Sequence, residues 1–274
     1  MPPSTTPSIT TDEHWIRLPG GRLFARSWTP AGDPAGGAPI ALLHDSLGCV
    51  ALWRDFPEAL ATATGRRVIA YDRLGFGRSD ARAGRPALDF IADEARTGFP
   101  ALREQLGLAR FVAFGHSVGG GMAVHCAAGA GRSCEGLITI AAQVFVEDRT
   151  VAGIRSAQSL FTDPAQRERL ARYHGDKADW VFDAWTGCWL DPGFADWSLR
   201  SVLPQVRCPV LAVHGVDDEY GSTRHPELIG ELAGGPARVE VMADTRHVPH
   251  RERPQEVLDH ITRFLDNMAA RPTP

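Results

Sequence analysis

An α/β fold, with a mostly parallel twisted sheet and helices on both faces, is predicted by three features of the 274-residue chain. The first is a set of short, nearly continuous apolar runs: APIALLHD, RRVIAYD, RFVAFGH, GLITIAA and PVLAVHG. Such runs suit strands buried on both sides. The second is that segments of helical period lie between them, at 53–64, 89–106 and 118–129. Alternation of this kind argues for strand–helix–strand crossovers. The third is length, because a chain of this size can bury one large core without disulfides or metals.

The elements follow in order. Residues 1–14 read as a disordered leader, lacking the basic segment, apolar run and cleavage site of a signal peptide. HWIRLPG and GRLFARSWTP meet at Pro19-Gly20-Gly21 and read as a hairpin at the antiparallel edge of the sheet. The Pro/Gly/Ala stretch 30–39 reads as a loop. At the far end, RPQEVLDHITRFLDNMA places Val257, Leu258, Ile261, Phe264, Leu265 and Met268 on one helical stripe, with Pro254 just inside its start. Residues 144–205 break the alternation: they lack strand runs and carry Tyr173, Phe182, Trp180, Trp185, Trp189 and Trp197. They read either as a helical lid over a pocket or as a small subdomain with its own aromatic core. Long insertions in compact domains are usually functional, which favours the lid. The expected organisation is a core in two parts, 15–143 and 206–270, with the lid between them.

Composition narrows the function classes. With 43% hydrophobic and 23% charged residues and a net charge of −4, the chain has no basic stripe for nucleic acid. No window reaches the ~18 apolar residues of a membrane span. Five cysteines, an odd number without a CxxC pair, fit reduced thiols in a cytoplasm. The expected partner is a small molecule rather than nucleic acid or membrane, and a homodimer stays open. GFGRSD lacks the third glycine of a dinucleotide loop, and neither a phosphate loop nor HExxH is present. No cofactor and no metal are therefore expected.

The glycines around Ser117 carry the chemistry. In FVAFGHSVGGGMAVHCA a buried strand gives way to a helix across one sharp turn, with Ser117 at its tip. Side chains two positions either side of the serine would collide with the neighbouring strand and helix, so Gly115 and Gly119 answer a steric demand. The turn also leaves the Val118 N–H free at a helix start, where it can donate to a developing oxyanion. The alternative is a glycine-rich helix start with an idle serine.

In this context GHSVGG resembles the nucleophile elbow of the α/β-hydrolase fold. LLHDSLG (42–48) resembles that family's oxyanion loop, and YDRLGFGRSD (71–80) is similar to its loop after the fourth strand. HGVDD (214–218) and DTRHVPHRERP (244–254) resemble the segments bearing the acid and the base. The resemblance implies Ser117 as nucleophile, Asp218 as acid and His247 as base, in the chain order of this fold. His250 stands as a rival base, Asp217 as a rival acid, and Glu147 and Asp148 as outside candidates for the acid. It also implies a second oxyanion donor in the N–H of Ser46, with Leu47 as the alternative. Asp45 departs from the usual His-Gly pair there, and reads as either a turn cap or a carboxylate near the pocket. The substrate pocket is expected to involve Leu47, His116, Trp180, Trp185 and Trp189.

The resemblance implies a cofactor-independent serine hydrolase working through an acyl-enzyme. The segment RYHGDKADWVFDAWTGCWL followed by LPQVRCPVLAVHG is broadly similar to lids of small-ester hydrolases of the valacyclovir-hydrolase type, which points to a carboxylic ester. Carbon–carbon hydrolysis of ring-cleavage products uses the same residues, as do lactone hydrolysis and perhydrolysis. A ligand-binding protein with an idle triad is the alternative outside enzymes.

Overall fold

The computed structural model describes residues 8–31 and 37–270. The chain enters on an antiparallel hairpin, β1 (Ile9–Leu18) and β2 (Gly21–Pro30), closed by Pro19 and by Gly20 at φ 97°. Proline followed by a positive-φ glycine is the demand of a type II turn. Strand β1 begins at Ile9, so the expected leader over 1–14 is corrected: residues 9–14 pair with Pro30 back to Ala25. Thr10–Glu13 are exposed in succession, which is why ITTDEH carries no apolar run. Residues 1–7 of that leader, and 32–36 of the expected loop, lie outside the described residues.

Strands β3 (Ile40–Leu43), β4 (Val68–Tyr71), β5 (Phe111–His116) and β7 (Val210–Gly215) are buried at every position. β6 (Cys134–Ile140) is buried at all but Glu135. With β8 (Ala237–Met242) they make one eight-stranded sheet in the order β1-β2-β4-β3-β5-β6-β7-β8. All pairings from β4 to β8 are parallel. Strand order reverses at β3, which lies between β4 and β5. A ligand crevice forms outside the carboxyl ends of the strands at such a point.

Helices cover both faces. On one side lie α1 (Phe56–Thr64) and the final α10 (Pro254–Ala269), whose Val257, Leu258, Ile261, Phe264 and Leu265 are buried. On the other lie α2 (Phe90–Glu94), α3 (Gly98–Gln105), α4 (Val118–Ala130) and α8 (Arg224–Leu232). The expected helix 89–106 is broken at Thr97, where Gly98 packs against Glu94 and Pro100 follows. The expected 53–64 helix starts later, at Phe56, with Pro57 in its first turn and Arg54 at φ 53° before it.

Between β6 and β7 run α5 (Asp148–Leu160), α6 (Pro164–His174) and α7 (Ala178–Trp189), then short turns to Gln205. These helices share a small apolar core in which Phe161 stacks on Phe182 and Phe76 joins from below. Two of the places that pin the segment flank the α5–α6 corner. His174 bridges the Gly77 N–H (2.8 Å) and the Leu47 carbonyl (3.0 Å), while Lys177 donates to the carbonyls of Gly77 and Ser79. At its start, Arg149 and Thr150 donate to the carbonyls of Asp218 and Tyr220. A short α9 (Pro249–Glu252) completes the elements.

Candidate active site

Ser117 sits between β5 and α4 with φ 55° and ψ −125°, a region that costs a non-glycine residue about 1–3 kcal/mol. The surroundings hold it there. Its N–H donates to Ile140 at 2.9 Å and its carbonyl accepts from Gly120 at 2.8 Å. A Cβ on Gly115 would strike the Gly119 carbonyl, and one on Gly119 would strike the Leu43 carbonyl. The elbow therefore tolerates no side chain at either glycine. Val118 opens helix α4, so its N–H has no intrahelical partner.

Sheet order supplies the rest of the site, since the loops after β3, β5, β7 and β8 share one edge. His247 follows β8, and its Nδ1 lies 2.9 and 2.8 Å from the two carboxylate oxygens of Asp218, after β7. Asp218 is 1% exposed and takes further bonds from the N–H groups of Tyr220 (2.7 Å) and Gly221 (3.2 Å), with His214 Nε2 at 3.3 Å. Burial pushes the Asp218 carboxyl up, but the His247 hydrogen bond and the charges of His247 and His214 bring it below its ordinary value. For His247, burial works against the charged form. The hydrogen bond and charge of Asp218, helped by Asp45 and Glu219, outweigh it and raise the imidazole above 6.5.

Ser117, His247, Asp45, Ser46 and Leu47 line one cavity of about 140 Å³ with Gln143, Thr150, Ile154, Trp185, Trp189 and Tyr220. The Leu47 N–H is spent on Asp45 Oδ1 (3.0 Å) and the Gly48 N–H on the Asp45 carbonyl (3.2 Å). The Ser46 N–H has no protein acceptor among the described residues. Of the two alternatives, Ser46 is the one with a donor to offer.

Two expected pocket residues lie elsewhere. His116 is 2% exposed and points beneath the cavity, toward Asp45, His250 and the His247 carbonyl, because strand alternation turns it away from the face Ser117 presents. Trp180 stacks over Gly75, donates to Gly84 (2.9 Å) and lines a neighbouring crevice with Phe76 and Val118. The rival residues are occupied. His250 is wedged against Trp53, Phe56 and His116, and burial with the nearby positive groups depresses its pKa well below the ordinary value. Glu147 holds Ser222 and His225, while Asp217 and Asp148 are exposed.

Sequence reasoning missed Gln143, Thr150, Ile154 and Tyr220. Gln143 carried a signal, a lone amide directly after an apolar strand run at the sheet's carboxyl edge; Tyr220 has its ring 4.7 Å from that of His247. Such an array can hold an imidazole in one tautomer and offer two main-chain N–H groups to a negative charge.

Residues 38–186, more than half of the chain, match the model of the α/β hydrolase fold family. The chain is 27% identical over 229 residues to a non-heme chloroperoxidase of Streptomyces lividans, covering 73% of this chain and 80% of that protein. Its structure resembles a bacterial membrane phospholipase A with a TM-score of 0.77 at 19% identity, covering 95% and 87% of the two chains. It also resembles a thermophilic esterase from Thermogutta terrifontis, with a TM-score of 0.69 at 21% identity and coverage of 94% and 99%. No helix among the described residues is long and apolar enough to cross a membrane. With the sheet order, the elbow and the family model in agreement, this chain belongs to the α/β hydrolase fold family.

Proposed function

We propose that this protein is a cofactor-independent serine hydrolase that cleaves a small carboxylic ester through an acyl-enzyme. The observation that carries the reading is that strained Ser117 and His247 line one cavity while buried Asp218 holds His247 from behind. Ser117 Oγ attacks the ester carbonyl carbon as His247 Nε2 takes its proton, and the oxyanion rests on the N–H groups of Val118 and Ser46. His247 returns that proton to the departing alcohol. Water, deprotonated by the same nitrogen, then attacks the acyl carbon and releases Ser117. The helices α5 and α7 act as a lid, with Trp185 and Trp189 excluding water from the acyl group. Free, buried cysteines support a reducing, cytoplasmic setting.

The volume sets the substrate scale. A dry cavity of about 150 Å³ accepts benzene, so 140 Å³ suits an acyl group of about six carbons or fewer. In a p-nitrophenyl series, kcat/KM is expected to peak between acetate and hexanoate and to drop by about tenfold at octanoate, where added methylenes overpack the site. Wild type inactive on every ester, yet active on a vinylogous diketone, would overturn the ester reading in favour of carbon–carbon hydrolysis.

The raised His247 sets a pH dependence. Only neutral imidazole can accept the serine proton, so the base form accumulates above pH 6.5 and kcat/KM falls as pH drops through that region. An acid limb centred below 6.5 contradicts this assignment.

A further inference from the structure

The loops carrying Ser46 and His247 come from opposite ends of the chain, and one pair of side chains joins them. Asp45 Oδ1 accepts from the Leu47 N–H at 3.0 Å, closing the turn that presents Ser46. Asp45 Oδ2 lies 3.2 Å from His116 Nδ1, and His116 Nε2 lies 2.8 Å from the main-chain oxygen of His247. The Asp45 peptide is fixed as well. Its carbonyl accepts from His44 Nδ1 and from Arg73 Nη2, each at 2.8 Å, while His44 Nε2 accepts from the Arg73 N–H at 3.1 Å.

Both ring nitrogens of His116 face oxygens that only accept, a carboxylate on one side and a peptide carbonyl on the other. The ring thus bridges the Asp45 carboxylate and the His247 peptide through its two nitrogens. A glycine at position 45 could make neither side-chain bond. We propose that Asp45 and His116 form a second Asp–His pair, a positioning device that locks the His247 main chain to the loop offering the Ser46 N–H and places a fixed carboxylate beside the reacting histidine. This rests on the serine-hydrolase reading, because it assigns these residues a task in that reaction.

The electrostatic part follows from the groups around His247. Asp218, Asp45 and Glu219 favour its charged form; His214, His116, His250 and Arg246 supply positive or neutral partners, and the Tyr220 ring covers one face. Around His116 stand Asp45, His247, His250 and the Trp53 ring, with Arg251 in the same crevice.

The test is the second-order rate at which a fluorophosphonate labels Ser117, measured against pH on the full chain. This readout needs the serine–histidine couple but no knowledge of the natural ester. Asp45→Asn keeps Oδ1 for the Leu47 N–H but turns an amide N–H toward His116 Nδ1, removing both the carboxylate charge and the acceptor at Oδ2. Its acid limb is expected to move down by about half a pH unit, a shift that a merely structural role would not produce. His116→Phe keeps the aromatic packing and loses both bonds, and its plateau rate is expected to fall by about ten- to a hundredfold. An unmoved limb in Asp45→Asn overturns the proposal, as does wild-type labelling of a folded His116→Phe. Should His116→Phe not fold, the Asp45→Asn limb decides alone. A wild type that is labelled but turns over no ester sinks the ester reading and leaves this test intact.

Discussion

Replacing Ser117 by alanine is expected to lower ester hydrolysis by about 10⁴-fold or more, leaving only the contribution of binding and of the Val118 and Ser46 N–H groups. The size follows from the covalent step, since among the described residues no other hydroxyl is presented at such an elbow. Alanine also fits the φ of 55° no worse than serine does, so the fold should persist. Hydrolysis of p-nitrophenyl butyrate with matched thermal unfolding curves checks both halves. Activity within tenfold of wild type would remove Ser117 from the reaction.

Asp218→Asn should cost about 10⁴-fold in kcat through the tautomer of His247. Two main-chain donors, the N–H groups of Tyr220 and Gly221, converge on Oδ1 and would hold the amide oxygen there. The amide nitrogen then takes the Oδ2 place, 2.8 Å from His247 Nδ1, and donates to it. The imidazole must carry its proton on Nε2, where it cannot accept one from Ser117. KM should stay within a fewfold, because Asp218 is buried behind His247 and does not line the cavity. A large KM change with kcat preserved would instead mean that Asp218 shapes the pocket.

The parallel centre of the sheet was legible because strands buried on both faces are nearly continuous apolar runs, as IALL, VIAY and the VLAV of β7 are. The edge hairpin was read from HWIRLPG and GRLFARSWTP, but the start of β1 and the whole of β8 were not. ARVEVM in β8 is half exposed and β1 is mostly polar, so neither leaves a continuous run. Ser117 could be read locally, since the steric demand of the elbow falls on the same short stretch of chain. Pairing Asp218 with His247 followed from motif order. The roles of Gln143, Tyr220 and the Asp45–His116 pair depend on which loops become neighbours when β3, β5, β6 and β7 line up, and no local pattern encodes that. His116 and Trp180 were misplaced for the same reason: adjacency to a motif does not say which way a side chain turns.

Two anchorages of the helical segment also constrain which part of it can move without disturbing the partners of Ser117. The start of α5 is tied to the Asp218–Tyr220 loop, and the α6–α7 junction is tied to Leu47, Gly77 and Ser79. Between them, the α5–α6 corner is mostly solvent-facing, with Leu160 62% exposed. Swinging that corner outward would part the Phe161–Phe182 stack and the Arg167–Asp179 pair but leave the loops that carry Asp218 and Ser46 in place, whereas lifting either anchored end would disturb them. Opening at the corner is therefore the motion that would leave the chemical machinery assembled.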